Sequence, residues 1–136
     1  MQQAPVVSII DDDESVRTAA KCLVRSLGYD AHMFASAEEF LQSAFLSTTA
    51  CLIVDVQMPK MSGLELQSAL RAKGHYTPII FITAFPEERV RTRALEGGAV
   101  CFLSKPFDGK ALVDCLTTAL ASARDRSSES ASKPQG

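Results

Sequence analysis

Cys51-Leu52-Ile53-Val54-Asp55 sets four apolar residues directly ahead of a carboxylate, and the arrangement recurs along the chain. Val6-Val7-Ser8-Ile9-Ile10 runs into Asp11-Asp12, and Ile79-Ile80-Phe81-Ile82 runs into Thr83. Val100-Cys101-Phe102-Leu103 reaches Lys105 one residue later. Short, nearly unbroken apolar runs of this kind read as strands buried on both faces. Residues 29–34 form a fifth run, more polar, with Tyr29, Ala31 and Met33 on one side of its alternation, which suits a sheet edge. If the five strands are parallel, their C-terminal ends lie side by side. Carboxylates, a hydroxyl and an ammonium then converge on one crevice, where open α/β sheets bind ligands.

The intervening segments carry helical patterns. After Glu14, Val16, Ala20, Leu23, Val24 and Leu27 form a stripe stopped by Gly28. Ser36 with Glu39 is a capping-box pair ahead of a helical stripe at Phe40, Leu41, Ala44 and Phe45, and Ser62 with Glu65 repeats the pattern ahead of Leu66, Ala69 and Leu70. Pro86-Glu87-Glu88 opens a fourth helix closed by Gly97-Gly98. Its stripe is the thinnest, mainly Val90 and Ala94, so it is expected to move most easily. Asp108 caps the last helix, with Phe107 and Leu112 at the staple positions. Strand–helix alternation repeated five times predicts an α/β domain, a parallel sheet with helices on both faces.

The 136 residues fit one domain, 46% hydrophobic and 22% charged, as in ordinary soluble proteins. A net charge of -2 with a pI near 5.6 gives no electrostatic case for nucleic acid or anionic membrane as partners. No stretch approaches a membrane span, and the N-terminus lacks the regions of a secretory signal. Cys22, Cys51, Cys101 and Cys115 show no CxxC or metal-type spacing, so reduced thiols with a core role are expected, and with them the cytoplasm. The domain is expected over residues 6–123, after a short tail at 1–5. Residues 124–136 are Ser-rich and polar, and are read as a disordered tail or linker.

Asp11-Asp12-Asp13-Glu14 by itself is an ordinary solvated charge run. At a strand end beside Asp55 it becomes a site, because carboxylates about 4 Å apart repel by about 4 kcal/mol per pair at an effective dielectric of 20. A divalent cation removes that repulsion, and hard oxygen donors suit Mg²⁺.

With these residues in place the chain resembles the response-regulator receiver domains of two-component signalling. The matching pieces are Ile10-Asp11-Asp12, Asp55-Val56-Gln57-Met58-Pro59 with Gly63, Ile82-Thr83-Ala84, and Lys105-Pro106-Phe107. Ser36-Ala37-Glu38-Glu39-Phe40-Leu41 and Gly98-Ala99 resemble the FixJ-like subgroup in particular. The resemblance implies a flavodoxin-like (βα)5 fold with strand order 2-1-3-4-5. It implies Asp55 as phosphoacceptor, charged by a sensor histidine kinase. Mg²⁺, with Mn²⁺ as a substitute, would be held by Asp12, Asp55 and the Gln57 carbonyl, with Asp11 acting through water. Lys105, Thr83 and the Ala84 backbone would bind the phosphoryl group, Thr83 and Phe102 would switch, and the Lys105–Pro106 peptide would be cis. Such a domain catalyses only its own phosphorylation and dephosphorylation. Its output surface is the fourth helix, fifth strand and fifth helix, available for homodimerisation, and transcription regulation is the expected role of a full-length regulator.

Two other readings start from the same residues. An aspartyl phosphatase of the haloacid-dehalogenase kind would carry a second acid two residues after its nucleophile, where this chain has Gln57. An inert binding module, or a stand-alone receiver acting by protein contact, needs no output domain. No helix-turn-helix pattern or basic recognition helix follows Ala123, so these residues are not expected to bind DNA themselves.

Overall fold

Alternation within the strands decides which helices each apolar side chain meets. The computed structural model describes residues 4–132, with side chains through Ala121. The elements are β1 (Val6–Ile10), α1 (Glu14–Ser26), β2 (Asp30–Phe34), α2 (Ala37–Leu41), β3 (Cys51–Asp55), α3 (Gly63–Ala72), β4 (Ile79–Thr83), α4 (Glu88–Glu96), β5 (Cys101–Ser104) and α5 (Gly109–Ser132). The five strands are parallel, in the order β2-β1-β3-β4-β5. Ile9, Ile53, Ile80 and Ile82 face a core completed by Val24 of α1 and Leu112 and Leu116 of α5. Ile10, Leu52, Val54 and Phe81 point the other way, onto Phe40 of α2, Leu66 and Leu70 of α3, and Ala94 of α4. The doubly wound architecture expected from the sequence is therefore present, with β2 at an edge and its Met33 exposed. Ser8, the polar residue inside β1, is fully buried, and its hydroxyl is satisfied by that of Thr49 at 2.7 Å.

The helix signals are realised unequally. Gly28 takes φ 91°, which lets the chain leave α1 in a left-handed turn. At α3 the capping box is complete: the Glu65 N–H donates to Ser62 Oγ (3.2 Å) and the Ser62 N–H to Glu65 Oε1 (2.9 Å). Ser62→Ala is accordingly expected to cost about 1 kcal/mol in urea unfolding, and no change would remove the box as a determinant of α3. At α2 only half of the box forms, because Glu39 Oε1 accepts from Ala35 N–H instead. The helix is five residues long, and the stripe positions Ala44 and Phe45 lie in turns beyond it. Helix α4 has no side-chain N-cap bond, and Ala94 is its one buried residue.

One expectation needs correction. Cys101 and Cys115 are joined as a disulfide, with Cα atoms 6.2 Å apart, rather than being two unpaired core thiols. No sequence spacing signals this pair, because only the packing of α5 across β5 brings the residues together. Cys22 and Cys51 are free, as expected. The helical backbone of α5 runs to Ser132. Residues 1–3 of the expected N-terminal tail and residues 133–136 lie outside the described part. Among the described residues no helix is long and apolar enough to cross a membrane.

Candidate functional site

Four of the five strands, β1, β3, β4 and β5, stop where an apolar run meets polar residues, and these ends meet in space. Asp11 follows β1 and is fully buried. Its N–H donates to the Phe34 carbonyl (3.1 Å), its Oδ1 accepts from the Asp13 N–H (2.9 Å), and its carbonyl accepts from Arg17 Nη1 (2.6 Å). Asp55 ends β3, and its Oδ1 accepts from the Gln57 N–H at 3.1 Å. Lys105 lies just beyond β5, and its N–H donates to the Thr83 carbonyl (2.8 Å), which ties the ends of β4 and β5 together. Its side chain reaches across the crevice, with Nζ 3.2 Å from Asp55 Oδ2 and 3.0 Å from Asp11 Oδ2. The Lys105–Pro106 peptide is cis.

The contact with Asp11 is an ion pair without hydrogen-bond geometry, so the buried Asp11 Oδ2 has no hydrogen-bond partner. Carboxylate oxygens of Asp11, Asp12 and Asp55 all lie within 4.8 Å of one another, with Asp12 exposed at the mouth. A buried carboxylate oxygen without a hydrogen bond, among hard oxygen donors open to water, is the environment that suits a small divalent cation. The electrostatics carry the same strain. Burial, and then the charge of Asp11, push the Asp55 carboxyl up to about 6, against the opposing Gln57 N–H and Lys105 ammonium. For Lys105, burial alone would lower the pKa, but contact with Asp11 and the charges of Asp11 and Asp55 prevail and raise it above the usual value.

Thr83 closes β4 with its side chain almost wholly buried, and its Oγ1 accepts from the Phe85 N–H at 3.1 Å. Ala84 and Phe85 are exposed, and Phe102 of β5 is half-buried against the core on the α3–α4 side. Thus Asp11, Asp12, Asp55 and Lys105 share one cluster, Thr83 sits at the adjoining strand end, and Gln57 follows Asp55 with its N–H engaged. Phe102 lies on β5, in register with Phe81.

Two features of the surroundings escaped the sequence reading, and a third, at Gly63, was read there only as part of a motif. Arg17 supports the Asp11 backbone, although its place in the first turns of α1 resembles any exposed basic residue. Gln67 Nε2 donates to the Ala94 carbonyl and Arg71 Nη1 to the Gly97 carbonyl, both at 3.0 Å, so α3 holds the C-terminal end of α4. A buried glutamine in an otherwise apolar helical stripe was the available signal for that tether. Gly63 approaches the phosphoacceptor strand so closely that a Cβ there would lie 2.6 Å from the Asp55 carbonyl oxygen.

Comparison with known proteins agrees with this geometry. Residues 7–117 match the family described as the response regulator receiver domain. Nodulation protein W of Bradyrhizobium diazoefficiens is 42% identical over 121 residues, covering 89% of this chain and 52% of that protein. Transcriptional regulatory protein FixJ of Azorhizobium caulinodans is 34% identical over 120 residues, 88% of this chain and 57% of that protein. The solved structure of the response regulator StyR superposes with a TM-score of 0.89 at 37% identity, covering 96% of this chain and 66% of that one. The chain spans about half the length of the curated relatives it matches. Its strand order, its acidic crevice and these matches agree, and the chain belongs to the response-regulator receiver domain family.

Proposed function

We propose that Asp55 accepts a phosphoryl group from the phosphohistidine of a sensor histidine kinase. The observation that carries this reading is the position of Lys105 Nζ, 3.2 Å from Asp55 Oδ2 and 3.0 Å from Asp11 Oδ2 in a crevice lined by carboxylates. A carboxylate oxygen of Asp55 attacks phosphorus in line, a P–O bond forms as the P–N bond to the donor imidazole breaks, and the product is an acyl phosphate. Lys105 supplies a point charge to the equatorial oxygens, a task for which an ammonium needs no planar fork. Asp12, Asp55 and the Gln57 carbonyl would hold Mg²⁺, or Mn²⁺ in its place, with Asp11 acting through water. When bound, the ion supplies positive charge against both the clustered carboxylates and the transferring group. The Thr83 hydroxyl and the Ala84 N–H meet the new phosphoryl oxygens. Thr83 leaves its bond to the Phe85 N–H, and Phe102 turns into the space behind it.

The output is a population shift of the surface built from α4, β5 and α5, read by a second copy of the chain or by a partner. The N-terminal part of α4 has no side-chain cap bond and Ala94 is the helix's one buried residue, while its tether to α3 lies at the C-terminal end, and this supports that assignment. In the complete protein we assign the output to transcription regulation in the cytoplasm, by analogy with the FixJ relative, and DNA contact to a part outside this domain. Acetyl phosphate with Mg²⁺ is expected to add one acid-stable, base-labile phosphoryl group, and EDTA to suppress its addition. Absence of incorporation with the metal present would sink the reading.

A further inference from the structure

The Cys101–Cys115 pair sits within the proposed output surface. Cys101 opens β5, immediately before Phe102 and opposite Ile80 of β4, while Cys115 lies in the middle of the buried face of α5. The four cysteines occupy different environments. Cys51 is wholly buried, and burial pushes its thiol up to about 12, so it is a poor nucleophile. Cys22 is exposed on α1 with no bridge. Cys101 is partly exposed, and Cys115 is 7% exposed and bonded to it. The Cys101 end of the bridge is thus the less buried one, and its partner is held at bonding distance by the fold. Partly exposed bridges of this type are the labile ones, whereas bridges with both sulfurs sealed resist exchange.

The bond also has something to hold. Among the described side chains of α5, through Ala121, the polar contacts, Lys110 with Asp114 and Thr117 with the Val113 carbonyl, stay within the helix. Over these described residues, apolar packing and the sulfur bridge fasten it to the sheet. We infer that Cys101 and Cys115 form a reversible redox clamp: as a dithiol the pair leaves α5 held by packing alone, and as a disulfide it fixes α5 to β5. The oxidant class is a small-molecule disulfide such as oxidised glutathione. The Cys101 thiolate attacks one glutathione sulfur and expels the other as a thiolate, leaving a mixed disulfide. The Cys115 thiolate then attacks the Cys101 sulfur and expels the second glutathione. Two protein S–H bonds are exchanged for one S–S bond, and the glutathione disulfide takes up two electrons and the two protons. A reducing pool runs the same steps backward. That the clamp also limits movement of Phe102 rests on the phosphoryl reading above; the clamp itself does not.

The test uses the whole chain in a Cys22→Ser background, which removes the other exposed thiol, equilibrated in glutathione mixtures of graded poise. Intact mass, peptide mapping and amide hydrogen exchange over residues 109–121 are read on each sample. Expected are a single 101–115 bridge that forms and reopens across the series, and exchange in α5 slower by roughly tenfold or more in the bridged form. Cys101→Ser and Cys115→Ser should each stay in the fast-exchanging state under oxidising mixtures. Arrest at a mixed disulfide, a bridge that persists in every reducing mixture, or equal exchange in the two forms overturns the clamp. None of these readouts needs phosphorylation, so a failure at Asp55 and a failure of the clamp are separately visible.

Discussion

Asp55→Asn is expected to abolish phosphorylation by acetyl phosphate and, without metal, to make the fold more stable. The two effects have one origin. Asp55 is 4% exposed beside the buried Asp11, and burial followed by that like charge raises its pKa from 3.8 to about 6. A carboxyl whose folded pKa is raised binds more protons folded than unfolded between those values, so stability falls as pH rises through the window. Below pH 3.8 both states are protonated and the contribution vanishes; above about 6 the destabilisation is complete. Asparagine carries no charge, keeps an oxygen for the Gln57 N–H, and leaves Lys105 beside Asp11. In EDTA at pH 7.5 the variant should therefore exceed the parent by about 1–2 kcal/mol in urea unfolding, with the gap closing toward pH 4. A saturating divalent cation should shrink it by stabilising the parent alone. An Asp55→Asn protein less stable than the parent at pH 7.5 would mean that Asp55 is a structural carboxylate. Undiminished labelling would place the acceptor elsewhere.

Gly63→Ala is expected to be the most damaging single-methyl change near the site. The added Cβ would lie 2.6 Å from the Asp55 carbonyl oxygen, 3.0 Å from Phe81 Cε1 and 3.1 Å from Val54 Cγ1. The first of these is backbone at the end of a central strand and cannot swing aside, so either α3 lifts or the end of β3 shifts. The cost should be about 2–3 kcal/mol, typical of overpacking in a filled core. Labelling by acetyl phosphate should fall by roughly tenfold to a hundredfold, because a displacement on the order of 1 Å spoils the in-line geometry. Gly109→Ala is the control: nothing lies within 4 Å of a Cβ built there, and its φ is not in the left-handed range. That change should be neutral or slightly stabilising. Equal damage from both would show that helix starts in general, rather than contact with Asp55, are sensitive.

The legible part of the site was the part encoded by strand termination. Asp11, Asp55, Thr83 and Lys105 each follow an apolar run, and a parallel sheet converts that one-dimensional pattern into a shared edge. The complete capping box at Ser62 and Glu65 was equally readable, since both of its bonds lie within four residues. Residues 44 and 45 were read as helix although the chain turns there. The side chain of Phe45 stacks instead on His32 of the edge strand, with ring centroids 3.8 Å apart, a contact between segments that local periodicity does not register.

The chain by itself determined the alternation of strands and helices, the face each apolar side chain takes, and which polar residues stand at strand ends, because these depend on neighbours a few positions apart. Tertiary structure alone decided that Lys105 bridges two carboxylates, that Gln67 and Arg71 hold the end of α4, and that Cys101 is bonded to Cys115. These contacts join residues 14 to 94 positions apart, and their geometry follows from how helices settle on a twisted sheet. No periodicity along the chain records that distance.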